Sequence, residues 1–179
     1  MEDSNKSAAV PDIGEIVFTE REIAAAVNRL AERITADYRE KKLHIAVLLS
    51  GAFIFAADLT RRLEILAEIS FIKVSSYGDS SKPESEPKMN YPCGTKIYAG
   101  KDVLIVDDIL DTGSTLAAVM REIEKHGPNS VAACVLLERE GSGGGNAKYA
   151  GLPAGNGFLV GYGLDFAGKY RNLPYIAAL

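Results

Sequence analysis

The most informative run of the chain is Val103-Leu104-Ile105-Val106-Asp107-Asp108-Ile109-Leu110-Asp111-Thr112-Gly113-Ser114-Thr115. Its first four residues form an apolar run that predicts a buried strand. The run meets two adjacent carboxylates and then a third. A Thr/Gly/Ser/Thr cluster follows and opens a helix over 115–126, which Gly127-Pro128 stops. In open α/β sheets ligands lie beyond the carboxyl ends of the strands, and this turn is such a place. The N–H groups of Thr112, Gly113, Ser114 and Thr115, with the three hydroxyls, suit a phosphate at the positive end of a helix, and Gly113 lets the backbone approach it closely. Carboxylates repel a phosphate unless they accept from sugar hydroxyls and a Mg²⁺ ion offsets their charge. The competing reading of Asp107, Asp108 and Asp111 is a solvated turn with Ser/Thr capping the helix. The stretch is neither a Walker loop nor a dinucleotide fingerprint.

Outward from this motif, strand and helix signals alternate. Thr19 and Glu22 make a capping box, and Ile23, Val27, Leu30 and Ile34 recur at helical spacing up to about Tyr38. An apolar strand over 44–49 ends at Ser50-Gly51 and is followed by helical character over 52–66. Further strands are predicted over 69–74, 131–137 and 158–162. The lack of alternation in 131–137 fits a sheet covered on both faces. Residues 76–100, with Gly78, Pro83, Pro87, Pro92 and Gly94, predict a long loop. The Gly-rich stretch 141–145 interrupts the pattern, and no internal repeat is present. This order predicts an α/β fold built on a mostly parallel sheet.

The composition sets the limits. The 179 residues are 47% hydrophobic and 25% charged, with 20 Lys+Arg against 24 Asp+Glu, a net charge of −4. That rules out disorder, collagen-like repeats and a disulfide scaffold, and it disfavours nucleic-acid and anionic-membrane binding. Cys93 and Cys134 have neither metal-ligand nor redox spacing; Cys134 is expected in the core. The acidic start lacks the apolar stretch of a signal peptide, and the uncharged run 45–57 is short of the roughly 20 residues that span a bilayer. A cytoplasmic location is expected.

The 103–115 stretch resembles the phosphoribosyl pyrophosphate (PRPP) motif of type I phosphoribosyltransferases, and its form D-D-I-L-D-T-G-S-T-L resembles the hypoxanthine-guanine branch. Residues 48–59 resemble the family's pyrophosphate loop and following helix. Ser75-Ser76-Tyr77-Gly78 resembles the opening of its flexible catalytic loop. Residues 160–165 and Tyr170-Arg171-Asn172-Leu173-Pro174-Tyr175-Ile176 resemble its carboxyl end. The four motifs stand in the family's order across about 15–179.

The resemblance implies a mostly parallel twisted sheet flanked by helices, with a small hood subdomain built from the chain ends. Residues 1–14 are expected to be a flexible segment and 15–179 one domain. Its core would run over about 35–140, its hood would use the N-terminal segment and about 145–179, and 76–100 would be a mobile loop. The implied activity is transfer of 5-phosphoribose from PRPP to N9 of hypoxanthine or guanine. PRPP and the purines would be the partners, Mg²⁺ the cofactor, and a homodimer or homotetramer the assembly. Asp107 and Asp108 would bind the ribose hydroxyls and metal, and Thr112, Gly113, Ser114 and Thr115 the 5′-phosphate. Ser50, Gly51 and Arg171 would bind pyrophosphate, and Asp165 would contribute at the purine side and to a second metal contact. Asp111 would hold a proton at purine N7. Phe158 would stack on the base, Leu159 would read its edge through the backbone, and Ser76 and Tyr77 would close as a lid.

Two positions depart from the family pattern. Ser50 stands where Lys is common, in a loop that works mainly through main-chain N–H groups around a cis peptide, here Leu49-Ser50. Arg139 stands where a Lys donates to purine O6, and a planar fork is not interchangeable with an ammonium. The preference for a 6-oxopurine survives this change, because adenine would set an amino donor against a cationic donor. A regulator built on the same fold is the competing class. The chain has no basic cluster or spare length for it.

Overall fold

In the computed structural model, which describes residues 13–75, 88–90, 95–142 and 147–179, the chain begins with a short strand, β1 (Ile16–Phe18), and a capped helix, α1 (Glu20–Tyr38). The capping box is present: the Glu22 N–H donates to Thr19 Oγ1 at 3.3 Å, and the Thr19 N–H donates to the Glu22 carboxylate at 2.9 Å. Next come β2 (Leu43–Leu49), α2 (Phe53–Thr60), β3 (Glu68–Ser75) and β4 (Lys88–Asn90). A 3₁₀ turn (Thr95–Tyr98) leads to β5 (Asp102–Leu110), α3 (Ser114–Glu124) and β6 (Ser130–Arg139). The chain closes with β7 (Tyr149–Ala154), β8 (Leu159–Val160) and β9 (Ile176–Ala178).

Six strands form the main sheet in the order β4-β3-β2-β5-β6-β7. All its pairings are parallel except the antiparallel edge strand β4. The central strands read as unbroken apolar runs because both faces are covered. Ile45 and Val47 of β2, with Leu104 and Val106 of β5, pack against α1 and α2 through Val27, Leu30, Ile34, Phe55 and Leu59. The alternate residues Ala46, Leu48, Val103 and Ile105 pack against Leu116, Val119 and Ile123 of α3. Burying each such side chain contributes about 1.5–3 kcal/mol. Cys134 is fully buried in the first of these layers, as expected. Three strands in the order β1-β9-β8 make a second, small sheet from the two chain ends.

Part of the stretch expected in a hood from about 145 onward pairs in the main sheet instead. Tyr149–Ala154 belongs to the main sheet, paired with β6 from Cys134↔Tyr149 to Arg139↔Ala154. Gly151 and Pro153 weaken its strand signal, yet an edge strand tolerates proline. At Gly151 an added Cβ would lie 2.7 Å from the Leu136 carbonyl oxygen, so the close pairing needs the glycine. The helix expected over 52–66 ends at Thr60, where the Thr60, Arg61 and Arg62 side chains donate to the carbonyls of Ala56, Ala57 and Asp58. The loop expected over 76–100 contains ordered pieces. Lys88–Asn90 pairs with β3, and Tyr98, 1% exposed, anchors the 3₁₀ turn edge-on against His44, 5.2 Å between ring centroids. Residues 76–87 and 91–94 lie outside the described residues, as do 1–12 and 143–146.

Candidate active site

From β2, the chain passes to β3 on one side of the sheet and later returns to β5 on the other, so the strand order reverses between β2 and β5. A crevice opens beyond their carboxyl ends. Ser50 and Gly51 leave the end of β2, and the Leu49–Ser50 peptide bond is cis. Asp107 and Asp108 lie inside β5, which continues to Leu110 rather than breaking at Val106. That correction matters to the chemistry: ladder pairing with β6 holds the two carboxylate-bearing residues on a rigid strand instead of a turn.

Three remote segments meet here at close range. A Cβ at Gly51 would lie 1.7 Å from Asp108 Oδ2, and one at Gly163 would lie 2.1 Å from the Gly51 carbonyl oxygen. Gly163 also has φ of +105°, which bulkier residues rarely adopt. Tyr162 braces the same region by donating from its hydroxyl to Asp58 of α2 at 2.7 Å.

The Asp107 carboxylate accepts from the Asp108 N–H at 3.0 Å, and Asp108 accepts from the Ile109 N–H at 2.9 Å. Burial pushes Asp107 well above the ordinary carboxylate range, and the neighbouring charge of Asp108 adds to it. Burial also raises Asp108, against opposition from hydrogen bonds and the Arg171 charge. Two hard oxygen donors side by side suit a divalent cation.

Gly113 is the N-cap of α3, with φ of +77°. Thr112 Oγ1 and Ser114 Oγ are 2.9 Å apart, with the Ser114 N–H directed to the Thr112 hydroxyl at 3.4 Å. Asp107, Asp111, Thr112, Gly113 and Thr115 line a small concavity of about 120 Å³ at this helix end. The arrangement offers N–H and hydroxyl donors to an anion.

Beside it lies a larger cavity of about 320 Å³ lined by Ser50, Gly51, Asp108, Ile109, Asp111, Arg139, Phe158, Leu159, Leu164, Asp165 and Arg171. Arg171 donates to Asp165 at 2.7 Å and to the Gly163 carbonyl at 2.6 Å. The second Asp165 oxygen accepts from the Gly168 N–H at 2.7 Å. Arg139 Nε is 3.1 Å from Asp111, while its two terminal nitrogens donate to the carbonyls of Gly155 and Gly157 at 2.5 and 2.7 Å. Phe158, half exposed, meets Phe166 edge-on at 5.6 Å.

Nine residues singled out in the sequence, from Ser50 to Arg171, therefore share one wall or another of this cavity. Ser76 and Tyr77 fall outside the described residues. Ile109 and Leu164 were missed as lining residues. Each stands next to a flagged Asp, and neither bears a reactive group, so only position inside a motif could have signalled them. The strand expected over 158–162 shrinks to Leu159–Val160 and belongs to the small sheet, which is what swings Phe158 over the cavity.

Comparison with known proteins matches residues 15–167 to the phosphoribosyl transferase domain. A hypoxanthine-guanine phosphoribosyltransferase of Dictyostelium discoideum is 39% identical over 171 residues, 92% of this chain and 94% of its own. A hypoxanthine phosphoribosyltransferase of Buchnera aphidicola is 37% identical, covering 90% and 93%. Among solved structures, a hypoxanthine phosphoribosyltransferase of Staphylococcus aureus superposes with a TM-score of 0.86 at 34% identity, covering 94% of this chain and 92% of that one. With the strand-turn-helix motif, the crevice and these relatives in agreement, the chain belongs to the phosphoribosyl transferase family.

Proposed function

We propose that this protein moves 5-phosphoribose from PRPP to N9 of hypoxanthine or guanine in purine salvage, giving IMP or GMP and pyrophosphate. The observation that carries this reading is the single cavity shared by Ser50-Gly51, Asp108, Asp111, Arg139, Phe158 and Arg171, next to the anion-accepting start of α3. The names of the relatives at 37–39% identity agree with it.

In the reaction the bond from ribose C1′ to the pyrophosphate oxygen breaks and one to purine N9 forms. Thr112, Gly113, Ser114 and Thr115 hold the 5′-phosphate at the helix end. Asp107 and Asp108 accept from the ribose hydroxyls. Ser50, Gly51 and Arg171 receive the departing pyrophosphate, Arg171 through its planar fork. Phe158 stacks on the base, Leu159 reads its edge, and Arg139 stands at the end where O6 lies. Asp111 holds the proton at N7 while N9 attacks. Ser76 and Tyr77 act as a lid that keeps water from the cationic ribosyl centre.

When bound, Mg²⁺ would supply positive charge against the pyrophosphate and the half-buried Asp107–Asp108 pair. Asp107, Asp108 and Asp165 would hold it from the protein side, directly or through water. No group of three or more His, Cys, Asp or Glu side chains that could hold a metal gathers among the described residues, and substrate oxygens would share the ion with these carboxylates. The exposed Leu66, Ile69 and Phe71 support association into a homodimer or homotetramer, and we place the enzyme in the cytoplasm. No helix among the described residues is long and apolar enough to cross a membrane.

The test is pyrophosphate release from PRPP and Mg²⁺ across hypoxanthine, guanine, xanthine, adenine and a pyrimidine. Turnover with hypoxanthine and guanine and none with adenine is expected; no release with either 6-oxopurine overturns the reading. Asp111→Asn should lower kcat by about 10²–10⁴-fold while leaving PRPP affinity nearly intact. Equal losses in both would reduce Asp111 to a binding residue.

A further inference from the structure

Arg139 is the last residue of β6, and its main chain is paired with Ala154 at the end of β7. The next three residues are Gly155-Asn156-Gly157, and then comes Phe158. Two glycines in three residues give this connection wide conformational freedom. Packing does not restrain it: a β-carbon added at Gly155 or Gly157 would meet nothing within 4 Å, and Gly157 has φ of +122°. What does reach the segment is the Arg139 guanidinium, with one terminal nitrogen on the Gly155 carbonyl and the other on the Gly157 carbonyl. The Nε of the same planar group lies 3.1 Å from Asp111, which follows the paired Leu110 as Arg139 follows its partner Glu138.

We propose that Arg139 is a positioning residue. It ties the 155–157 segment and Asp111 into one frame and so sets the gap between the stacking ring of Phe158 and the carboxylate at N7. The inference rests on the transferase reading above and extends it, since Arg139 then works through protein carbonyls and a carboxylate as well as facing the base. Three acceptors placed around a planar fork suit guanidinium geometry. An ammonium is a point donor and cannot span them together. Of the five guanidinium N–H groups, two are engaged on the segment's carbonyls, while Nε stands at ion-pair distance from Asp111.

Arg139→Lys separates this role from donation to O6, because Lys keeps both a positive charge and a donor; Arg139→Gln is the companion that removes the charge. In the free protein, amide hydrogen exchange across 155–158 should quicken by about tenfold or more in both variants, with thermal midpoints within a few degrees of the parent. In the assay, Arg139→Lys should raise the hypoxanthine KM and lower kcat, together by about 10²-fold, while the PRPP KM changes less than about twofold. Unchanged exchange at 155–158, or an Arg139→Lys enzyme with parental purine KM and kcat, overturns the proposal and leaves Arg139 a simple O6 donor. A parent protein that released no pyrophosphate would sink the transferase reading instead, and the exchange measurement would still decide whether Arg139 holds the segment.

Discussion

Gly51 and Asp108 approach so closely that a methyl group on the Gly51 α-carbon would lie 1.7 Å from the Asp108 Oδ2 atom. The carboxylate is held by the Ile109 N–H and stands on a paired strand, so it has little room to retreat. Gly51→Ala should therefore displace Asp108 and raise the PRPP KM by about tenfold or more, with a smaller effect on thermal stability. Steady-state kinetics with PRPP varied at saturating hypoxanthine gives the answer; an unchanged KM would mean that Asp108 can turn aside without loss.

Asp107 carries a cost at neutral pH. Burial, then the Asp108 charge, raises its native pKa above the unfolded value. The folded state thus binds the proton more tightly. Its stabilising share is complete below the unfolded carboxylate pKa of about 3.9 and disappears as pH rises through the raised native value. At pH 7 burial and the Asp108 charge disfavour the ionised form of Asp107 in the folded chain. Asp107→Asn should raise stability there by about 1 kcal/mol, a few degrees in the melting midpoint, while weakening PRPP use. Calorimetry at pH 7 without substrate or Mg²⁺ checks this, and a lower midpoint would contradict it.

His44 behaves oppositely and lies far from the crevice. It is 2% exposed, bonded through Nε2 to Ser70 Oγ at 2.8 Å, with Tyr98 edge-on and Glu68 3.7 Å from Nδ1. Burial, then the Lys101 charge, lowers its pKa below 6.5, against the pull of Glu68. The unfolded chain takes up this proton near pH 6.5 and the folded chain only at lower pH. The contribution is full above 6.5 and is lost as pH falls from 6.5 towards the native value. Urea unfolding at pH 7.5 and 5.5 should show lower stability at 5.5, and His44→Gln should shrink the difference. A variant with the parental pH dependence would exclude His44 as its source.

Arg171 bridges the Asp165 carboxylate and the Gly163 carbonyl, and a planar fork alone holds both from its place on the cavity wall. Arg171→Lys should lower kcat/KM for PRPP by about 10- to 100-fold, with the purine KM much less affected. Equivalent losses for both substrates would show that the change disorders the cavity as a whole.

Legibility in the sequence followed how local each signal is. The capping box at Thr19 and Glu22, the helical spacing of α1 and the apolar runs of β2, β5 and β6 each depend on residues a few positions apart. They were readable for that reason. β7 was not. Its Gly151 and Pro153 contradict strand propensity, and its place depends on an edge position beside β6 and a glycine pressed on the Leu136 carbonyl. Tyr98 was hidden in a polar, proline-rich stretch because its partner His44 is more than fifty residues away.

By itself the sequence determined the alternation of strands and helices, the carboxylates and hydroxyls that meet at the end of β5, and the resemblance of four ordered motifs to one transferase family. Tertiary structure decided how these motifs face one another. Only the folded chain presses Gly163 on Gly51 and Gly51 on Asp108, extends β5 through its acid pair, and sets two Arg139 nitrogens on the Gly155 and Gly157 carbonyls with Nε beside Asp111. The physical reason is separation along the chain. Periodicity and capping act over one or two turns, whereas a contact between residues 51, 108 and 163 exists only once the parallel sheet has brought three remote segments to the same edge.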